Sequence, residues 1–199
     1  GDETAFKQYD DQLGFYTPIL KGFLTELGHE AANLGMQVFG GHGYIKEWGM
    51  EQIVRDARIA MLYEGTTGVQ ALDLLGRKVI LGSRGKVIRD YTSEILRFCS
   101  NHARNKYMRG FAWELWNTLT LRVIMAARKD RDMVSSASND FLMFSGYVMM
   151  AYFWAQQAAV ASEKIGANQG PESIEFYKAK IKVADFYFER LLPRAQGHA

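Results

Sequence analysis

Cysteine is almost absent from this sequence: Cys99 is the single one in 199 residues, which excludes an intrachain disulfide and any zinc site built on several thiolates. A reducing, cytoplasmic compartment is the simplest setting for such a chain. Four histidines, at positions 29, 42, 102 and 198, lack the spacing of metal ligands, and no metal site is predicted. Neither charge sign dominates, with Lys plus Arg 24 against Asp plus Glu 22 and a net charge of +2. That balance argues against a dedicated nucleic-acid binder, whose footprint is clustered positive charge. Long apolar runs are missing too. The most apolar one, Phe141 to Ala155, is interrupted by Ser145 and Gly146 and followed by Gln156 and Gln157, so it falls short of the ~20 residues that span a bilayer and reads as a core helix. No signal peptide is visible, and the polar start GDETAFKQYDDQLG has no initiator Met; the chain reads as a piece of something longer.

What is present points to helices. A hydrophobic fraction of 48% with 13% aromatics and only 3 prolines suits a compact, mostly helical fold, and no alternating strand pattern of useful length occurs. Residues 1–16 carry no clear period and read as an extended lead-in. Thr17 offers an N-cap and Pro18 a first helical position, after which Leu20, Phe23, Leu24, Leu27, Ala31, Leu34 and Val38 recur at spacings of three and four, an amphipathic helix that Gly40 and Gly41 stop. A loop follows, then a helix from Met50 to Leu62 with Ile53, Ala57, Ala60 and Met61 on its buried side. Glu64-Gly65 breaks it, and Thr67 with Gln70 has the spacing of a capping box that opens the next helix. Gly82-Ser83-Arg84-Gly85 reads as a linker. Beyond it come helical patterns at 86–103, 109–130, 138–165 and 171–192, the last opened by Pro171 and Glu172. The expected fold is all-α, with one domain over residues 1–84 and a helical bundle over 85–199.

The stretch from Gln37 to Gln70, QVFGGHGYIKEWGMEQIVRDARIAMLYEGTTGVQ, concentrates the candidate chemistry. Glu64, at a helix break beside glycine, is either a solvated turn residue or a general base, for which apolar neighbours such as Met61, Leu62 and Tyr63 are a suitable setting. Gly65 leaves room for a flat ligand to approach the backbone. Gly40, Gly41 and Gly43 form either a plain helix stop and tight loop or a place where a cofactor touches backbone amides; no strand precedes them, so they are not the nucleotide fingerprint of a strand, glycine turn and helix. Gln37 has both a donor and an acceptor to offer. Arg55 and Asp56, adjacent on one helix, point different ways and are each expected in a structural ion pair.

Taken in order, QVFGGHGY, VRDARI and YEGTTGVQ resemble the acyl-CoA dehydrogenase family, over residues 17–80. The part from about residue 85 is similar to the additional helical domain of a longer subgroup that includes methylthiopropionyl-CoA dehydrogenases. The resemblance implies that the full-length parent is an oxidoreductase that converts an acyl-CoA thioester to a 2-enoyl-CoA. It makes Glu64 the base that removes a proton next to the thioester carbonyl while a hydride leaves the neighbouring carbon for the flavin of FAD, and makes the backbone N–H at Glu64 a hydrogen-bond donor to the thioester oxygen. Tyr63 and Gly65 then border the substrate, Thr66 contacts the flavin nucleotide, and Gln37, Phe39, Gly40 and Gly41 meet the adenine-nucleotide half of FAD bound by the adjacent subunit. An acyl-CoA substrate, electron-transfer flavoprotein or a similar acceptor, and a homo-oligomer are the implied partners. Two positions depart from the family pattern: Gly68, where glutamine or glutamate is common, and Gln52, where a basic residue is usual.

Only part of a three-part active site is contained in these residues, so the isolated piece is expected to fold without retaining FAD or turning over substrate, and to leave Glu64 exposed. Two other readings stand beside this one. An alkylation-response type of DNA-binding flavoprotein would use the basic residues Lys106, Arg109, Arg122, Arg128, Lys129 and Arg131, diluted by Asp130 and Asp132; a structural oligomerisation module would need no chemistry. The aromatic and Met-rich positions Trp113, Trp116, Phe141, Met143, Phe144, Tyr147, Met149, Met150, Phe153 and Trp154 have helical spacing and are expected to be core.

Overall fold

A 36-residue helix, α1 (Glu3–Val38), begins the fold. The structure, a computed structural model, describes residues 3–102, 119–130, 132–168 and 170–199; among them there is no strand. The predicted helix at 109–130 is described only from residue 119 and is helical over 119–127. Trp113 and Trp116 lie outside the described residues, as do Lys106, Arg109 and Arg131.

The lead-in predicted to be extended over residues 1–16 is helical from Glu3 on, and Pro18 lies inside α1 rather than at its start. Proline there removes one hydrogen bond of the helix ladder, and the Thr17 hydroxyl donates 2.8 Å to the Leu13 carbonyl one turn back instead of capping. Burial outweighs the loss. Phe15, Ile19 and Phe23, each 1% exposed or less, form one continuous side of the helix across the proline. Of the positions that the periodicity picks out, Phe23 lies on this buried side, whereas Leu20, Leu24, Leu34 and Val38 are exposed. With Phe6 and Leu13, also exposed, they make a second apolar stripe in which positions 6, 13, 20 and 34 fall on a seven-residue repeat.

The chain divides into two compact units, one formed by Gly1–Arg84 with Asp130–Met143 and the other by Gly85–Lys129 with Phe144–Ala199. In the first, α1 ends at the Phe39-Gly40 turn and is followed by a single helical turn, α2 (Gly41–Tyr44), a 3-10 turn (Lys46–Trp48), α3 (Met50–Ile59) and α4 (Thr67–Leu72), which runs on into a π-helical stretch (Asp73–Gly82). α1 packs against α3, α4 and the π-helical stretch. Leu74, Leu75, Val79 and Ala71 meet the buried side of α1 in the core. α3 stops at Ile59, short of the predicted Leu62, and Ile53, predicted to be buried, is exposed while Met61 is buried.

The second unit holds α5 (Lys86–Asn101), the helical residues 119–127, the later part of α6 (Asp132–Ala167) and α7 (Ile174–Phe186), then a π-helical stretch (Tyr187–Leu191) and a 3-10 run (Leu192–His198). α7 is opened by Ser173, whose side chain accepts from the Phe176 amide at 3.1 Å, and not by Pro171 and Glu172: the cap's hydroxyl satisfies an amide that proline and glutamate leave unpaired. Ile88, Ile95, Phe144, Val148 and Tyr152 are core residues here. Tyr152 stacks edge-on to Tyr91 and Phe98 and donates to Glu94 at 3.1 Å. Of the aromatic and Met-rich positions, Phe141, Phe144, Tyr147 and Met149 are buried, whereas Phe153 is exposed. Among the described residues no helix is long and apolar enough to cross a membrane.

Tyr187 carries a pH dependence. Its hydroxyl donates 2.8 Å to the buried Tyr147 carbonyl, and burial, with a smaller contribution from Tyr147, pushes its pKa well above the ordinary tyrosine value. The neutral phenol is therefore the form the fold prefers, and its contribution to stability is present below about pH 10, the unfolded value, and lost as pH rises above it. Urea midpoints measured from pH 9 to 11.5 are expected to fall more steeply for the native chain than for Tyr187→Phe.

Candidate functional site

The junction between α3 and α4 is built from a pair of left-handed residues. α3 ends where the amides of Leu62 and Tyr63 both donate to the Ile59 carbonyl, at 3.0 and 3.2 Å. Glu64 then has φ 54° and Gly65 φ 92°. Gly65 adopts this conformation without penalty; a glutamate there is uncommon and costs on the order of 1–3 kcal/mol. Side chains from α4 and α1 hold the pair. Gln70 Nε2 donates to the Glu64 carbonyl at 3.1 Å, and Lys21 Nζ, from α1, donates to the Gly65 carbonyl at 2.6 Å. Lys21 Nζ also stands 5.9 Å from the centre of the Tyr63 ring.

The predicted capping box is not formed. Thr66 is the N-cap of α4, with extended backbone and no side-chain cap, and the Gln70 amide donates to its carbonyl at 3.0 Å. The Thr67 hydroxyl is drawn instead to Glu26 Oε1 at 2.6 Å, a charge-assisted bond to α1. Carbonyls in this junction are thus held while the Glu64 N–H meets no acceptor among the described residues. Glu64 and Thr66 are exposed, Gly65 is half-buried, and Leu62 and Tyr63 are about half exposed, at 47% and 53%.

The other predicted group lies on the turn after α1. The Gly40 amide donates to the Gln37 carbonyl at 3.0 Å, and Gly40 has φ 60° and ψ −142°, a conformation that glycine alone adopts readily. Gln37, Phe39, Gly40 and Gly41 are all exposed. Phe39 leans toward Trp48, ring centres 6.5 Å apart, and His42 meets the same Trp48 edge-on at 5.7 Å. The glycines differ in what requires them. A Cβ at Gly43 would lie 2.4 Å from the Met36 carbonyl oxygen, whereas one at Gly41 would have nothing within 4 Å. No hydrogen bond or ring contact among the described residues joins this turn to the Tyr63–Thr66 junction.

The ion pairs expected of Arg55 and Asp56 are absent among the described residues: Asp56 accepts 2.7 Å from Gln52 Nε2, its neighbour one turn back. The uncharged Gln52 thus satisfies the carboxylate by itself. A groove of roughly 880 Å³ in the same unit is lined by His29, Met36, Lys46, Glu51, Arg55 and Leu62 among others; none of the predicted site residues lines it. Of the basic face considered for DNA, Arg122, Arg128 and Lys129 are exposed beside the exposed Asp130. Lys21 and Glu26 were missed as site residues, because their bonds from α1 join positions 44 and 41 residues apart and no local pattern marks them; Gln70 was marked, but as a capping-box partner of Thr67 and not as the donor to the Glu64 carbonyl six residues back.

Comparison with known proteins identifies the family. Residues 3–79 match the family described as "Acyl-CoA dehydrogenase, C-terminal domain", and residues 93–199 match "Acetyl-CoA dehydrogenase C-terminal like". The chain belongs to the acyl-CoA dehydrogenase family, whose C-terminal domains it carries. It is 33% identical over 199 aligned residues to the 3-methylmercaptopropionyl-CoA dehydrogenase of Ruegeria pomeroyi, covering 96% of this chain and 33% of that protein. It is 30% identical to the broad-specificity linear acyl-CoA dehydrogenase of Mycobacterium tuberculosis, over 88% of this chain and 31% of the other. A butyryl-CoA dehydrogenase of Syntrophomonas wolfei is 24% identical over 98% of this chain and 33% of its own length. The chain spans about a third of the length of these curated relatives.

The contrast between Gly43 and Gly41 gives a direct test of what each is for. Gly43→Ala is expected to destabilise the chain by about 1–3 kcal/mol through overpacking against the Met36 carbonyl, and Gly41→Ala to leave the unfolding free energy from urea titration within about 0.5 kcal/mol of the native value.

Proposed function

We propose that this chain is the C-terminal portion of an FAD-dependent acyl-CoA dehydrogenase in which Glu64 is the catalytic base. The observation that carries the reading is the junction itself. A strained glutamate has its own carbonyl and that of Gly65 bound while its N–H and carboxylate are left available, an arrangement with a use in acyl-CoA chemistry. The carboxylate removes the proton next to the thioester carbonyl, and the Glu64 N–H donates to the thioester oxygen as negative charge develops there. When bound, FAD supplies the acceptor for the hydride that leaves the neighbouring carbon. Tyr63 and Gly65 border the thioester, and Thr66, whose hydroxyl makes no cap, is free to meet the flavin nucleotide.

The turn after α1 fits a cofactor contact as well. Neither packing nor backbone conformation requires glycine at Gly41, so the open backbone there suits a ligand from outside the chain. In this reading Gln37, Phe39, Gly40 and Gly41 meet the adenine-nucleotide half of FAD held by an adjacent subunit, which agrees with the lack of any bond between this turn and the Glu64 junction. The exposed apolar stripe of α1 supports a chain made to be covered by other parts of a larger assembly. The domain division at 84/85, where Arg84 and Gly85 both have positive φ, is part of the same proposal, as are an acyl-CoA substrate and electron-transfer flavoprotein or a similar acceptor.

Two outcomes test the reading. In the full-length parent, Glu64→Gln is expected to abolish most dehydrogenation, a loss of about 10²-fold or more in kcat, while FAD absorbance per subunit is unchanged; loss of flavin in that variant would assign Glu64 a structural role. The isolated 199-residue chain is expected to purify colourless and inactive, and a yellow preparation that reduced a dye with acyl-CoA would overturn that expectation.

A further inference from the structure

We propose that Lys21 is a positioning residue for the base: its ammonium group, by gripping the Gly65 carbonyl, keeps the Glu64-Gly65 pair left-handed and so aims the Glu64 carboxylate and N–H at one substrate. The proposal rests on the reading of Glu64 as base and adds to it a residue from α1, outside the junction.

The geometry is specific. The Lys21 bond to the Gly65 carbonyl, 2.6 Å long, is charge-assisted and partly shielded from water, the setting in which a single hydrogen bond is worth most. Lys21 makes no ion pair among the described residues, so the carbonyl and the Tyr63 ring are its contacts there. Five residues further along α1, Glu26 takes the Thr67 hydroxyl at 2.6 Å. One rigid helix therefore grips the junction on both sides of Thr66, and Gln70 adds a third bond at the Glu64 carbonyl, 3.1 Å. α1 is fixed at this level by its buried residues Phe15, Ile19 and Phe23. A carbonyl turned outward by a left-handed residue needs a donor, and solvent would serve it in many orientations. A lysine anchored in a packed helix serves it in one.

Removing the ammonium should free the loop without unfolding the unit. In this chain, cleavage after Glu64 by a glutamate-specific protease is expected to rise about tenfold or more in Lys21→Met, as the loss of a charge-assisted bond predicts, with cleavage after the exposed Glu47 unchanged and the native rate restored in Lys21→Arg. Lys21→Gln is read in the same way should the methionine variant not fold. In the full-length parent, Lys21→Met is expected to lower kcat by about 10- to 100-fold, the effect of a misplaced reacting group, with KM and flavin content close to native and recovery in Lys21→Arg. An unchanged rate after Glu64, or an equal rise after Glu47 with a lowered Tm, would overturn the proposal. If cleavage responds as expected but Glu64→Gln keeps full turnover, the grip of Lys21 on the loop stands while the role of Glu64 as base falls, and the catalytic part of the proposal falls with it.

Discussion

Two carbonyl oxygens, those of Glu64 and Gly65, are held by side chains from α4 and from α1, and the geometry of the candidate site depends on those bonds. Gln70 reaches back from α4 and Lys21 reaches across from α1. Without such donors a glutamate at φ 54° would relax toward ordinary helix or extended backbone, because the left-handed conformation of a residue with a Cβ is uphill. The consequence is that two acceptors of the junction are satisfied while the Glu64 N–H meets no acceptor among the described residues. A free N–H beside a carboxylate suits a substrate that presents an acidic C–H and, two bonds from that carbon, an oxygen on which charge accumulates.

That arrangement makes α1 more than a packing element. Its buried side fixes the helix through Phe15, Ile19 and Phe23, and the cost of the internal Pro18 is outweighed because the proline lies on that same buried side. Lys21 and Glu26 are then presented from a helix that cannot easily shift. The Gln37–Gly41 turn at the end of α1 is fixed by the same helix, with Gly43 pressed so closely against the Met36 carbonyl that no larger residue fits. Both groups of candidate site residues therefore take their positions from one element.

Much of this was legible in the sequence. The all-helical class followed from periodicity and from the scarcity of proline and of alternating patterns, and the family resemblance followed from three short motifs in order. The helix stop at Gly40 and the break at Glu64-Gly65 were marked by glycines. The start of α1 was not legible, because Thr17-Pro18 is a good local N-terminal signal and only tertiary burial overrides it. The buried side of α1 was misread in part for a related reason: the helix is apolar on two sides, and periodicity cannot tell which side this chain covers. The capping box failed because Thr66 takes the N-cap position and Thr67 is the first helical residue, its hydroxyl donating to Glu26 across on α1. Lys21 had no local signature at all, since its partner is a backbone carbonyl and any residue type carries one.

The exposure of Glu64 follows from the same division of labour. The three bonds that fix the junction all come from within this unit, so the backbone that carries the proposed base is held by the chain as it stands. What the unit does not supply is a dry environment: Leu62 and Tyr63 remain about half exposed, and a carboxylate in contact with water is stabilised by it in the ground state as well as during reaction. Orientation and desolvation are thus separable. The first is carried by α1, α4 and the residues between α3 and α4, and the second must come from surfaces that cover them, as the unburied stripe on α1 also requires. In the proposed reading, a base whose backbone is already held when its cover arrives needs no rearrangement of that backbone, so covering the site excludes water without also having to fold the loop.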